Sequence, residues 1–234
     1  MVKVVFFDWF DTLARFEPPR QELWRQAFRN VNIELPLKAI TRGLLAGDRH
    51  FFEENTKSPP VKQRSPEEQV EVYLRYPNEM LAAAGVKTSP DILLEVVKIA
   101  TMRAKEITYV LFDDVLPTLE SLKKKNLVMG LLTNAARDAL SVQHQLGLGP
   151  YISFVVTSEE VGASKPNPPI FLAALERAGV KAAEACHVGD QYDLDVAGAR
   201  GVGMNPILID RENIYPEVTD CPRIRHLTEV AGYL

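Results

Sequence analysis

The sequence predicts an α/β fold with a doubly wound, mostly parallel sheet and an all-helical block inserted after the first strand. Three observations predict it. Residues 2–7, 127–132, 152–156, 185–189 and 206–209 are short β-branched or apolar runs bounded by turn residues, as buried strands are. Runs with helical spacing lie between them, and strand alternating with helix gives a parallel sheet covered on both faces. Residues 16–107, between the first and second of these strands, carry helical stripes and no convincing strand pattern.

In the first part of that block, Leu23, Trp24, Ala27, Phe28 and Val31 form one helical stripe, and Leu37, Ile40, Leu44, Leu45 and Phe52 form a second. Ser65-Pro66-Glu67-Glu68 is a capping box with proline at the first helical position. It opens a third helix that Pro77 should kink and Gly85 should end. Ser89-Pro90-Asp91 opens a fourth, carried by Ile92, Leu93, Val96, Val97 and Ala100. Ser58-Pro59-Pro60 reads as a loop inside the block. In the second half, helices are expected over 115–125, 135–146, 168–178 and 194–200, with Gly147 and Gly179 at C-terminal cap positions. The domain division is therefore 1–15 plus 108–234 for the α/β core and 16–107 for the helical insert, joined near Ala14–Pro19 and Ile107–Asp113.

The chain of 234 residues is 46% hydrophobic and 25% charged, an ordinary globular composition long enough for one large domain or two small ones. A net charge of −4 gives no reason to expect nucleic-acid binding, and Lys123-Lys124-Lys125 reads as a solvated helix face. Two cysteines, Cys186 and Cys221, are too few for a disulfide scaffold and lack metal-ligand spacing. The start does not fit a signal peptide and no run approaches a membrane span, so a cytoplasmic location is expected. Neither a monomer nor a homodimer is favoured.

The chemistry gathers at strand ends. Asp8 closes the run 2–7, which places a charge at the carboxyl edge of the sheet, where open α/β folds bind ligands. Three later segments repeat the pattern: Leu131-Leu132-Thr133-Asn134, the loop with Ser164-Lys165-Pro166, and Val188-Gly189-Asp190 followed by Asp193 and Asp195. A carboxylate can attack phosphorus or an activated carbon and divide one hard displacement into two easier ones; taken alone, Asp8 would read as a turn cap, and the three later motifs turn the reading to a nucleophile. Thr133 and Asn134 offer a hydroxyl and an amide that can clamp anionic oxygens, and Asn134 would also suit the N-cap of 135–146. Lys165 supplies a compact positive charge that would hold Asp8 ionised. Asp190 and Asp195 beside Asp8 would repel each other unless a cation joins them, and hard oxygen ligands suit Mg²⁺. Asp193 reads as a helix cap. Gly198, Gly201 and Gly203 lack Gly-x-Gly-x-x-Gly spacing and read as packing and turn glycines.

The order and spacing of these four motifs resemble the haloacid dehalogenase-like hydrolase superfamily, subfamily I, over roughly 1–15 and 108–210. The resemblance implies a Rossmann-like core, a helical cap formed by 16–107 that closes over the site, and a covalent aspartyl-enzyme mechanism with Asp8 as nucleophile. It implies that Thr133 binds the transferred group, that Thr12 hydrogen-bonds the Asp8 carboxylate or the transferred group, that Lys165 neutralises its charge, that Asp190 ligates Mg²⁺ directly and that Asp195 is a supporting or second ligand. Asp8 would share the metal.

One position departs from the resembled phosphatases, which carry an acid two residues after the nucleophile. Here that residue is Phe10, whose backbone carbonyl is still able to bind the metal. Asp11 lies one place further on, so it is no automatic replacement. General acid help is worth about 10²–10⁴ in rate for a poor leaving group, so Phe10 argues against simple sugar phosphates and for better leaving groups. The 2-haloacid dehalogenases, which use no metal, also have an aromatic residue there. Their carboxylate- and halide-binding arginine has no distinct counterpart among Arg15, Arg20, Arg25 and Arg42. The leading expectation is a Mg²⁺-dependent phosphatase of a small phosphorylated metabolite. The alternatives are a metal-independent haloacid dehalogenase and a weakened member that binds a ligand or partner. Trp9, Phe10, Arg15 and Phe16 are expected to line the entrance.

Overall fold

The computed structural model describes residues 1–55, 57–104, 107–134 and 146–234. The helix expected over 135–146 falls outside the described residues except for Leu146. The chain divides into two compact units, Met1–Arg15 with Tyr109–Leu234, and Phe16–Thr108.

The first unit is built on a six-stranded sheet. Its strands are β1 (Val4–Phe7), β4 (Val128–Thr133), β5 (Phe154–Thr157), β6 (Ala185–Gly189), β7 (Asn205–Ile209) and β8 (Arg223–Ile224). They lie in the order β5-β4-β1-β6-β7-β8, and every neighbouring pair is parallel. The order therefore runs outward in both directions from β1, and it reverses between β1 and β6. A doubly wound sheet opens its ligand crevice outside the carboxyl ends of the strands at that reversal.

Strand alternation sorts the core into two layers. Val5, Phe7, Met129, Leu131, Cys186, Val188, Ile207 and Ile209 pack with Val115, Leu119 and Leu122 of the helix Val115–Lys124 and with Leu227 and Val230 near the C-terminus. Val4, Phe6, Leu132 and Ala185 pack on the opposite face with Ile170, Phe171, Ala174 and Leu175 of the helix Pro168–Ala178, and with Ala199. Phe6 and Phe7 are fully buried on opposite faces, each stabilising the fold by about 1.5–3 kcal/mol through burial. β1 thus has no wet face, which is why its sequence reads as a continuous apolar run.

The second unit is helical: Arg20–Asn30, Leu37–Asn55, Pro66–Tyr73, Arg75–Ala84 and Pro90–Arg103. Its core joins Ala27, Phe28, Ile40, Leu44, Tyr76, Met80, Leu81, Val96 and Ala100. The capping box forms as expected, with Glu68 N–H donating to Ser65 Oγ at 3.2 Å and Ser65 N–H to the Glu68 carboxylate at 2.9 Å. Pro77 breaks the helix where a kink was expected. It cannot donate to the carbonyl four residues back, Tyr73, and the first segment ends there. Gly85 ends the second segment at φ 69°, a left-handed turn that costs glycine nothing.

Three short strands escaped the sequence pattern. β2 (Ala14–Glu17) and β3 (Thr108–Leu111) pair with each other, and Ala14 also bridges to Phe10. β8 has two residues. β2 and β3 are mostly half-buried or exposed and β8 is too brief, so none is the buried apolar run that marks the core strands. Among the described residues no helix is long and apolar enough to cross a membrane.

Candidate active site

Asp8 follows β1 directly, and its N–H donates to the Val188 carbonyl at 2.9 Å, tying it to β6 at the reversal point. The Lys165 ammonium reaches across to donate to Asp8 Oδ1 at 2.5 Å and to Asp195 Oδ1 at 2.6 Å. Lys165, Asp195 and Asp8 are all buried, at 3%, 2% and 8% exposure, so solvent barely screens these contacts. Carboxylate oxygens of Asp8, Asp190 and Asp195 lie within 4.8 Å of one another. Thr12 Oγ1 makes a long contact of 3.5 Å to Asp190 Oδ1.

The lysine is aimed by its backbone. Lys165 N–H donates to Asn134 Oδ1 at 2.7 Å, and Asn134 Nδ2 donates to the Lys165 carbonyl at 3.1 Å. The amide of Asn134 therefore joins the end of β4 to the lysine loop; the helix it was expected to cap lies outside the described residues. Thr133 is buried as the last residue of β4.

Asp195 is placed by an unusual turn. The helix expected over 194–200 opens instead as a single π-type turn, Tyr192–Val196, before Ala197–Gly201 continues as α-helix. Such turns recur at functional sites. Asp195 Oδ2 accepts from Gln191 N–H at 3.0 Å, while Oδ1 takes Lys165 and stands 2.9 Å from His187 Nε2. Gly189 makes room for this, since a Cβ there would stand 2.1 Å from Asp195 Cγ. Asp193 sits inside the turn, exposed, rather than capping it.

Burial raises the Asp8 carboxyl above its ordinary range, Lys165 pulls it back, and Asp195 adds to the rise. Asp190 is raised much further by burial and then by the charges of Asp11, Asp8 and Asp195. Burial opposes the charge on Lys165, but Asp195 and Asp8 outweigh it and raise its pKa. Asp195 is lowered despite burial, through Lys165 and His187. One buried ammonium thus faces three clustered carboxylates. A hard divalent cation fits that imbalance and that set of oxygens.

Phe10 is half-buried against the core, its ring 5.5 Å from that of Tyr109. Asp11 adopts φ 58°, a left-handed conformation that aspartate tolerates better than most residues, and its charge is the foremost carboxylate acting on Asp190. Arg15 stacks over Phe112 at 5.4 Å. Sequence reasoning passed over His187 because one histidine in an apolar strand gives no pattern, and its partner lies eight residues on. It also passed over Arg211, which is 2.9 and 3.0 Å from the two Asp114 carboxylate oxygens and 2.9 Å from the Thr12 carbonyl.

The fold and this cluster define a hydrolase whose sheet carries an aspartate at the end of its first strand. A family model described as haloacid dehalogenase-like hydrolase matches residues 2–203, and the chain belongs to that family. It is 33% identical over 216 residues to a glyceraldehyde 3-phosphate phosphatase of Methanopyrus kandleri, covering 90% of this chain and 85% of that one. Among solved structures it resembles a HAD phosphatase from Thermococcus onnurineus, with 25% identity, TM-score 0.58, and 99% and 97% of the two chains covered. It also resembles a 2-haloacid dehalogenase from Pseudomonas syringae pv. Tomato DC3000, with 27% identity, TM-score 0.57 and the same coverage.

Proposed function

We propose that the protein is a Mg²⁺-dependent phosphatase of a small phosphorylated metabolite, acting through an aspartyl-phosphate at Asp8. The observation that carries the reading is the buried Asp8–Lys165–Asp195 chain beside Asp190 at the switch point of the sheet. The name of the Methanopyrus kandleri relative supports the substrate class.

An Asp8 carboxylate oxygen attacks phosphorus, and the bond from phosphorus to the leaving oxygen breaks. Water then cleaves the acyl phosphate, returning Asp8 and releasing phosphate. Lys165 keeps Asp8 ionised and offsets charge that builds on the phosphoryl oxygens. Thr12 and Thr133 donate to those oxygens, and Asn134 fixes the lysine loop. Asp8, Asp190 and the Phe10 carbonyl would hold Mg²⁺, and Asp195, whose oxygens are already engaged, would support the set through Lys165. When bound, Mg²⁺ supplies charge neutralisation at the transferring group. Phe10 offers no proton to the leaving oxygen, which favours acyl or aryl phosphates. We assign the helical unit, Phe16–Thr108, the role of a cap that selects substrate.

A dehalogenase reading has Phe10 in its favour. Against it, Arg20 is held by both oxygens of Asp48 at 2.7 and 2.9 Å, and Arg25 pairs with Glu22, which commits two candidate arginines within the helical unit. The test is phosphate release from p-nitrophenyl phosphate and acetyl phosphate, with and without Mg²⁺, with Asp8→Asn as the blank. Mg²⁺-dependent release that vanishes in the blank is expected. Chloride release from 2-chloropropionate with no phosphate release would replace the reading, and binding of a phosphorylated ligand without turnover would mark a weakened member.

A further inference from the structure

We infer that His187 is a positioning residue for Lys165, acting through Asp195. The inference deepens the phosphatase reading and rests on it for the role of Lys165.

β6 alternates across the sheet. Cys186 and Val188 join the core on one face, and His187 points to the other, where the strand neighbours are Val4, Phe6 and Ala185. An imidazole at 1% exposure among apolar side chains is costly unless a hydrogen bond compensates. Its Nε2 stands 2.9 Å from Asp195 Oδ1. An ionised carboxylate only accepts, so Nε2 carries the proton and donates. Nδ1 has no hydrogen-bond partner among the described residues. Among the described residues, Asp195 is therefore the ring's hydrogen-bond partner. Phe171 meets it edge-on at 5.6 Å and 88°, which stops the ring from swinging away.

The same oxygen, Asp195 Oδ1, receives both His187 and Lys165, and Oδ2 receives Gln191 N–H. Three donors from three places fix one carboxylate: β6, the lysine loop and the start of the π-type turn. With His187 gone, Oδ1 is held by the flexible lysine alone. The carboxylate can then turn, and the ammonium loses the fixed acceptor that keeps it against Asp8. The consequence falls on kcat, because Lys165 acts on charge that develops during transfer and not on ground-state binding.

The experiment compares His187→Phe, which keeps an edge-on ring without the donor, with His187→Gln, whose amide nitrogen can reach the Nε2 position. Each is made alone and with Asp195→Ala, beside wild type and Asp195→Ala itself, and assayed with p-nitrophenyl phosphate. His187→Phe should lower kcat about 10–100-fold, as loss of a partner that orients an active-site group does, and leave KM unchanged. His187→Gln should recover most of the loss. In the Asp195→Ala background, which leaves no side-chain acceptor for either donor, His187→Phe should add no further loss, because the path is already cut. An unchanged kcat in His187→Phe, or losses that multiply in the double variant, overturns the inference. A wild type without turnover overturns the phosphatase reading; urea unfolding of wild type, His187→Phe, Asp195→Ala and their double variant then decides the link, and additive stability changes refute it.

Discussion

Replacing Asp195 by asparagine changes only one oxygen for a nitrogen, yet every hydrogen bond of this side chain is made to an oxygen. Lys165 Nζ and His187 Nε2 meet Oδ1 at 2.6 and 2.9 Å, and Gln191 N–H meets Oδ2 at 3.0 Å. An asparagine keeps two of the three donors if its oxygen faces Lys165 and His187. Its NH₂ then faces the Gln191 N–H, donor against donor. Leaving a buried donor unpaired costs about 1–3 kcal/mol, and removing the charge from the two remaining bonds costs about 1 kcal/mol each. Asp195 also raises Asp8 and Asp190 by repulsion, so its neutralisation returns part of this. The net loss should be about 2–4 kcal/mol, close to the cost of breaking a buried ion pair. For a chain of this length that lowers the midpoint by about 4–16 °C. Because the two compact units need not unfold together, the transition should be followed unit by unit. Trp9 is buried in the α/β unit and Trp24 belongs to the helical one, so tryptophan fluorescence in a Trp24→Phe background reports the unit that holds Asp195. A loss below about 1 kcal/mol, less than one unpaired buried donor, would refute the argument that Asp195 is held by three donors.

Gly189→Ala should fold, but its Cβ would lie 2.1 Å from Asp195 Cγ and must displace that carboxylate; kcat should fall about 10²-fold, as misplacing a catalytic group by about an ångström does, with the far-ultraviolet dichroism unchanged. Arg211→Lys cannot reproduce the paired contacts to Asp114 and the reach to the Thr12 carbonyl, nor lie flat over Phe112 at 3.8 Å. Chemical denaturation should show a loss of about 1–3 kcal/mol. In the helical unit, hydrogen bonds from Lys57 and Arg64 lower the Glu54 pKa from 4.5 to about 2. A lowered folded pKa means its contribution is complete above 4.5 and fades as pH falls towards 2. Unfolding measured between pH 6 and pH 2 should therefore show a shallower acid limb in Glu54→Gln than in the wild type; identical limbs would refute the pairing.

The core strands were legible because each is buried on both faces, and burial writes itself into the chain as an apolar run. The caps were legible because Ser65, Ser89 and Gly85 act within four residues of themselves. Asp8, Lys165, Asp190 and Asp195 stood out because each follows a strand or a turn whose end the sequence marks. What brings them together is the sheet order, which sets β1 beside β6 and aims the lysine loop at both; strand order depends on pairings between segments far apart in the chain. The break at Tyr73, the π-type turn at Tyr192–Val196 and the ribbon of β2 and β3 were decided by packing. The same holds for His187. Its identity was always visible, but its meaning lies in one oxygen of Asp195 that it shares with Lys165, and the shared oxygen exists only once β6, the turn after it and the lysine loop have converged. Local signals determine which segments are strands and helices and where the candidate site residues sit along them; contacts between distant segments determine which of those side chains touch.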